Sequence, residues 1–149
     1  MLPPGFEFVS IGLNQTVRYV QVNRKPDLAI WGELVKHIGG CHCGQVKYEV
    51  EMNLENAISC NCSICMKRGS LLDFVPEANF KLLSGERDLG DYQFNKKRIH
   101  HLFCKKCGIM SYANGLSPDG QKMVAINVRC LDVVELGKIK IKEYDGKNH

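Results

Sequence analysis

From residue 45 onward the chain carries a two-residue rhythm. Val46, Tyr48 and Val50 alternate with Lys47 and Glu49, the pattern of a strand with one buried face. Leu71 to Val75 is a short apolar run of strand length. Tyr92 and Phe94, then Asn95-Lys96-Lys97, then Ile99, His101 and Phe103 read as a hairpin around a polar turn. Met123 to Val128 and Lys138 to Lys142 supply two further strands. Ahead of these, Leu28, Trp31, Leu34, Val35 and Ile38 fall at helical spacing behind a possible Asp27 cap, with Gly39 as a stop. That spacing predicts a helix, which Gly32 weakens, and a strand over Leu34 to Ile38 is the alternative. Phe6/Phe8 and Val17/Tyr19 are two short alternating segments before a basic turn at Arg24-Lys25-Pro26. The expectation is a mainly β, single-domain protein with many turns, in which residues 1–33 form an N-terminal extension and residues 34–149 the domain proper.

Composition narrows the class. The chain has 149 residues, 44% hydrophobic and 24% charged, a length that fits one domain and a balance that excludes disordered, collagenous and coiled-coil chains. The net charge of +4 and pI near 8.6 fall short of the pI above about 9 of a dedicated nucleic-acid binder, so nucleic acid is not an expected partner. No apolar stretch approaches the about 18 residues that a membrane span needs, and Met1-Leu-Pro-Pro-Gly-Phe-Glu7 has neither a basic nor an apolar signal region. The expected compartment is the cytoplasm, where thiols stay reduced. There, eight cysteines, seven of them between Cys41 and Cys107, point to metal before disulfides.

The cysteines fall into three elements. Gly39-Gly-Cys-His-Cys-Gly44 holds two thiols two residues apart, which on an extended backbone leave the same face. Phe103-Cys-Lys-Lys-Cys-Gly108 is a zinc-knuckle turn, in which backbone N–H groups can point at the sulfurs. Together, Cys41, Cys43, Cys104 and Cys107 make a closed set of four thiolates, the donor set of a structural zinc. The third element, Cys60-Asn-Cys-Ser-Ile-Cys65, offers three thiols and no equally good fourth ligand. A zinc held by Cys60, Cys62 and Cys65 alone keeps a position for water or substrate, as a catalytic site does. Lys67 and Arg68 directly follow, placed to offset the negative charge or to receive an anionic ligand. The alternatives for this element are a second structural zinc completed by Cys130 or a histidine, an iron–sulfur cluster, or disulfides, the last disfavoured because cysteines two apart on a strand bridge poorly.

Other candidates carry bland readings. His42 points away from any metal shared by its neighbours, and of His100 and His101, adjacent on a strand, one faces inward and the other out. Lys96, Lys97, Arg98, Lys105 and Lys106 read as solvated surface, and Cys130 as a small buried hydrophobe.

With these motifs laid out, the chain resembles the family that joins glutathione-dependent formaldehyde-activating enzymes with centromere protein V. The resemblance rests on the three cysteine elements together with Phe80-Lys-Leu-Leu-Ser-Gly85 and Asn127-Val-Arg-Cys-Leu-Asp132, and it runs from about Leu34 to the end. It implies several small coiled antiparallel sheets around the zinc knuckles and two zinc ions per chain. Cys41, Cys43, Cys104 and Cys107 would be the structural ligands, and Cys60, Cys62 and Cys65 the catalytic ones. The implied activity is that of a carbon–sulfur lyase forming or cleaving S-hydroxymethylglutathione from glutathione and formaldehyde. The alternative from the same resemblance is a non-catalytic zinc-stabilised binding module of the centromere protein V type, because shared motifs do not guarantee shared chemistry.

Overall fold

A computed structural model describes residues 33–149, together with a short antiparallel strand pair, β1 (Phe6–Glu7) and β2 (Val20–Gln21). The chain divides into two compact units, Met1–Gly32 and Glu33–His149. The alternation over Phe8, Val17 and Tyr19, the turn at Arg24-Lys25-Pro26 and the first half of the expected helix, Leu28 to Gly32, lie outside the described residues.

In the larger unit the order is β3 (Val35–Gly40), β4 (Lys47–Met52), β5 (Asn56–Cys60), α1 (Ser63–Arg68), β6 (Leu71–Pro76), β7 (Phe80–Ser84), β8 (Leu89–Tyr92), β9 (His100–Cys104), β10 (Tyr112–Leu116), β11 (Lys122–Asn127) and β12 (Lys140–Tyr144). Strands β3, β4 and β7 make a three-stranded antiparallel sheet. The other seven make a sheet in the order β12-β5-β6-β11-β10-β9-β8. The fold is mainly β, as the alternation predicts. All its pairs are antiparallel except β12 with β5, which run parallel and carry the C-terminus to the end of β5.

The helix expected up to Ile38 is not formed over its described part, where Val35–Gly40 is strand β3. Pairing decides this: β3 lies antiparallel to β4 along its whole length, from Val35 opposite Met52 to Gly40 opposite Lys47. Its apolar side chains Val35 and Ile38 stay exposed, so helical spacing here marks no buried stripe. In β4 the alternation is realised in full, with Tyr48, Val50 and Met52 buried between exposed or half-buried Lys47, Glu49 and Glu51. The two sheets meet through an aromatic cluster. Tyr48 of β4 lies 5.1 Å from Phe80 of β7 and 5.6 Å from Tyr112 of β10, centroid to centroid, and its hydroxyl donates to the Ser111 carbonyl at 3.3 Å. The hairpin expected at Asn95–Lys97 is present as β8 and β9, with Asn95 and Lys97 both at positive φ.

Candidate metal centres

The first two cysteine elements converge. The sulfurs of Cys41, Cys43, Cys104 and Cys107 all lie within 4.8 Å of one another, with Cys41 to Cys43 at 3.5 Å and Cys43 to Cys104 at 3.7 Å. A tetrahedron of sulfurs about 2.3 Å from a zinc ion has edges near ~3.8 Å, so this spacing and donor chemistry fit that ion. The Cys41–Cys43 segment is a turn and not the extended stretch expected from sequence. The Gly44 N–H donates to the Cys41 carbonyl at 3.2 Å and the Cys41 N–H to Val46 at 3.0 Å, a course that Gly44 permits by taking φ of 77°. The knuckle at 104–108 closes the same way, with the Gly108 N–H on the Cys104 carbonyl at 2.7 Å. Asp88 joins the two turns. Its carboxylate accepts from the Gln45 side chain and its carbonyl from the Lys105 N–H, each at 2.8 Å.

Backbone donors reach these sulfurs as the knuckle shape implies. The Val46 N–H lies 3.2 Å from the Cys41 sulfur. N–H groups of Cys43 and Ile109 hold the Cys107 thiol down to about 6. Cys43 behaves oppositely: the Gln45 N–H pulls it down, but desolvation and the neighbouring thiols push it up to about 11. Cys41 and Cys104 are both buried. His42, between Cys41 and Cys43, is exposed.

The third element forms a separate group. The sulfurs of Cys60, Cys62 and Cys65 lie within 4.8 Å of one another, and among the described residues no fourth Cys, His, Asp or Glu joins them. Cys60 ends β5, Cys62 is the residue before the first turn of α1, and Cys65 lies in that helix. This six-residue helix, which no apolar periodicity announces, turns the three sulfurs toward one another. The Met66 N–H bonds the Cys62 carbonyl at 3.0 Å, and Gly69 closes the end on Cys65 at 2.9 Å. Burial raises the Cys65 thiol, with Cys62 and Cys60 adding to it, to about 12. At Cys62 burial also raises, but the Cys65 N–H and the Cys60 and Cys65 side chains outweigh it and leave the thiol below its ordinary value.

The C-terminal segment pins this group. The Asn61 N–H donates to the Tyr144 carbonyl at 3.1 Å, its side-chain amide donates to Asp145 at 2.8 Å, and its amide oxygen accepts from the Lys147 N–H at 2.9 Å. Gly146 packs so close that a Cβ there would stand 2.5 Å from the Cys60 sulfur. Cys130 does not complete the group. It is half-buried, and burial together with Cys41 and Cys107 of the other cluster raises its thiol to about 11. All eight cysteines are free thiols, not disulfides.

The three sulfurs open on a cavity of about 390 Å³. Arg68 lines it and Lys67 does not: Arg68 is half-buried with its guanidinium on the Met110 sulfur, whereas Lys67 is exposed. Burial lowers the Arg68 pKa, against the opposing pull of Cys65 and Tyr92. His101 is the inward member of its pair, buried and lining the cavity, while exposed His100 bonds Asp91 at 2.7 Å. Burial and then Arg68 lower the His101 pKa, so its ring is neutral at pH 7. The cavity roles of His101, Met110 and Tyr144 carry no spacing signal in the sequence, since β9, the loop before β10 and β12 reach the site only through sheet pairing. Lys96, Lys97, Arg98, Lys105 and Lys106 are exposed, as expected of solvated surface.

No helix of the described residues is long and apolar enough to cross a membrane. Comparison with known proteins matches residues 36–144 to the family described as glutathione-dependent formaldehyde-activating enzyme. A crystal structure of a Rhodobacter sphaeroides protein is similar at a TM-score of 0.62 and 30% identity, covering 70% of this chain and 99% of that one. With well over half its length matched and two cysteine groups that could hold metal ions, the chain belongs to the glutathione-dependent formaldehyde-activating enzyme family.

Proposed function

We propose that this protein is a zinc-dependent carbon–sulfur lyase of glutathione adducts, forming or cleaving S-hydroxymethylglutathione or a related adduct. Cys41, Cys43, Cys104 and Cys107 would hold a structural zinc, and Cys60, Cys62 and Cys65 a reactive one. The observation that carries this reading is the contrast in completeness: the three-thiol group faces a cavity and lacks a fourth ligand among the described residues. When bound there, zinc supplies positive charge that favours the thiolate form of an incoming thiol and polarises an oxygen beside it.

The chain's own residues supply the rest. In the lyase direction the carbon–sulfur bond breaks, the hydroxyl oxygen becomes the aldehyde carbonyl, and the hydroxyl proton ends on sulfur or in solvent. Neutral His101 can accept that proton at one ring nitrogen while donating from the other. Arg68, three residues after Cys65 on α1, offsets the net negative charge of three thiolates around a dication and offers a planar donor to a carboxylate of glutathione. Lys67, exposed outside the cavity, contributes only at longer range. Gly146 and the Asn61 bonds to the C-terminal segment keep the Cys60 loop in place.

The reading is tested by turnover of S-hydroxymethylglutathione above its uncatalysed breakdown. Cys62→Ser is expected to lower that turnover at least about a hundredfold, the scale of losing a metal's contribution, while the circular dichroism spectrum and about one zinc per chain are retained. Full turnover in that variant contradicts the mechanism. A binding module of the centromere protein V type would instead use the exposed cations and leave the cavity idle. Salt-dependent DNA binding without any turnover favours that second reading.

A further inference from the structure

The cavity is built by one cross-strand row. Phe74 of β6 stands opposite Ala125 of β11, Ala125 opposite Ala113 of β10, and Ala113 opposite His101 of β9. All four line the cavity. Directly opposed residues share one sheet face, so two alanines side by side form the floor between a Phe74 wall and a His101 wall. Antiparallel sheets ordinarily turn a polar face outward when the other face packs on the core, as this one does through Val124 and Ile126. Here the second face is apolar as well, and large side chains at its rim stay uncovered, Phe74 at 47% and Ile99 at 46% exposure. Such an uncovered apolar concavity marks a ligand site.

Formaldehyde, with two heavy atoms, does not need this space. The volume of about 390 Å³ is that of sites for far larger ligands. Glutathione, a peptide with two carboxylates, finds Arg68 as the cation of the lining and no polar partners along the alanine floor. We infer that the cavity takes the carbon side of the adduct: the sulfur compound recognised here carries a medium-sized apolar substituent, derived from an apolar aldehyde, seated on Ala113 and Ala125. This rests on the proposed lyase reading and names the substrate class of the same site. The balance is that of the formaldehyde reaction: the thiol sulfur bonds the aldehyde carbon, the carbonyl π bond opens, and the thiol proton ends on the new hydroxyl.

Calorimetric titration of the zinc-loaded protein with S-methyl-, S-butyl- and S-hexylglutathione tests it, alongside ethanethiol and 1-hexanethiol as thiols without the peptide. Each fully buried methylene is worth about fourfold in affinity, so S-hexylglutathione is expected to bind at least about tenfold more tightly than S-methylglutathione even on a half-open floor. Ala125→Leu fills the floor and is expected to abolish that gain while leaving zinc content unchanged. A gain with chain length among the plain thiols, with no glutathione derivative binding, supports the apolar site and overturns the glutathione reading. No gain with chain length in either series, with the glutathione derivatives still binding more tightly than the plain thiols, overturns the inference and leaves the glutathione reading standing. A gain that survives Ala125→Leu also overturns it, because the substituent then sits elsewhere. Should that variant fail to fold, the two series on the unaltered protein still decide.

Discussion

The two cysteine groups use the same side chain for opposite ends. The four-thiol group ties the β3–β4 turn to the β9–β10 turn, residues more than sixty positions apart, and two of its sulfurs are buried. The three-thiol group comes from one stretch of six residues, links nothing distant by its own ligands, and borders open space. What separates them is how many strands each must join. A metal holding remote turns together substitutes for core in a small domain, whereas one held by a single loop and short helix can leave a coordination place to a ligand.

The difference can be broken most visibly by removing one ligand from each group. Cys104→Ala is expected to abolish cooperative folding, because structural zinc contributes roughly 10–16 kcal/mol and a whole domain is stable by only about 5–15 kcal/mol. Thermal melts followed by circular dichroism check this. Cys62→Ser should instead melt cooperatively, with a smaller loss than Cys104→Ala, because its three ligands lie within six residues and tie no distant strands together. If the two variants melt alike, the division of roles is wrong.

Acid sharpens the contrast. Every thiol must lose its proton to ligate, so falling pH favours release of metal from both groups. Each group pairs a lowered thiol with a raised one, Cys107 at about 6 with Cys43 at about 11, and Cys62 below its ordinary value with Cys65 at about 12, so ligand number sets the order and the three-ligand group releases first. A stepwise titration from neutral pH downward with a zinc-sensitive dye should therefore show two phases, the first lost in Cys62→Ser. The smallest effect separates two neighbouring cations. Arg68→Met is expected to raise KM for a glutathione adduct about tenfold, equivalent to about 1.4 kcal/mol, and Lys67→Met to change it less than about twofold.

The grouping of the cysteines into four and three was legible in the sequence because metal geometry is local: C-x-C, C-x-x-C and the Cys60-Asn-Cys-Ser-Ile-Cys65 run each state their own reach. Also legible were the strands whose alternation is clean, β4 and the β8–β9 hairpin. The sequence pattern did not reveal β5, β7, β10 or α1, each too short or too mixed to carry a period, and it left Lys67 and Arg68 undistinguished, although of the two only Arg68 lines the cavity. Of the two readings of the segment through Val35 and Ile38, the strand formed and the helix did not, because pairing with β4 outweighs local spacing. The cavity was not legible at all. Its floor needs Ala113 opposite Ala125, and its edge needs β12 parallel to β5, and such registers join residues far apart in the chain.

On the proposed mechanism the three-thiol group keeps one coordination place for an incoming sulfur. Cobalt in both metal sites gives a thiolate charge-transfer band whose intensity follows the number of bound sulfurs. Titration with glutathione is predicted to raise that band in the unaltered protein, saturating at one equivalent per chain, and to leave Cys62→Ser unchanged. A fully loaded protein whose band does not move on adding glutathione contradicts the claim.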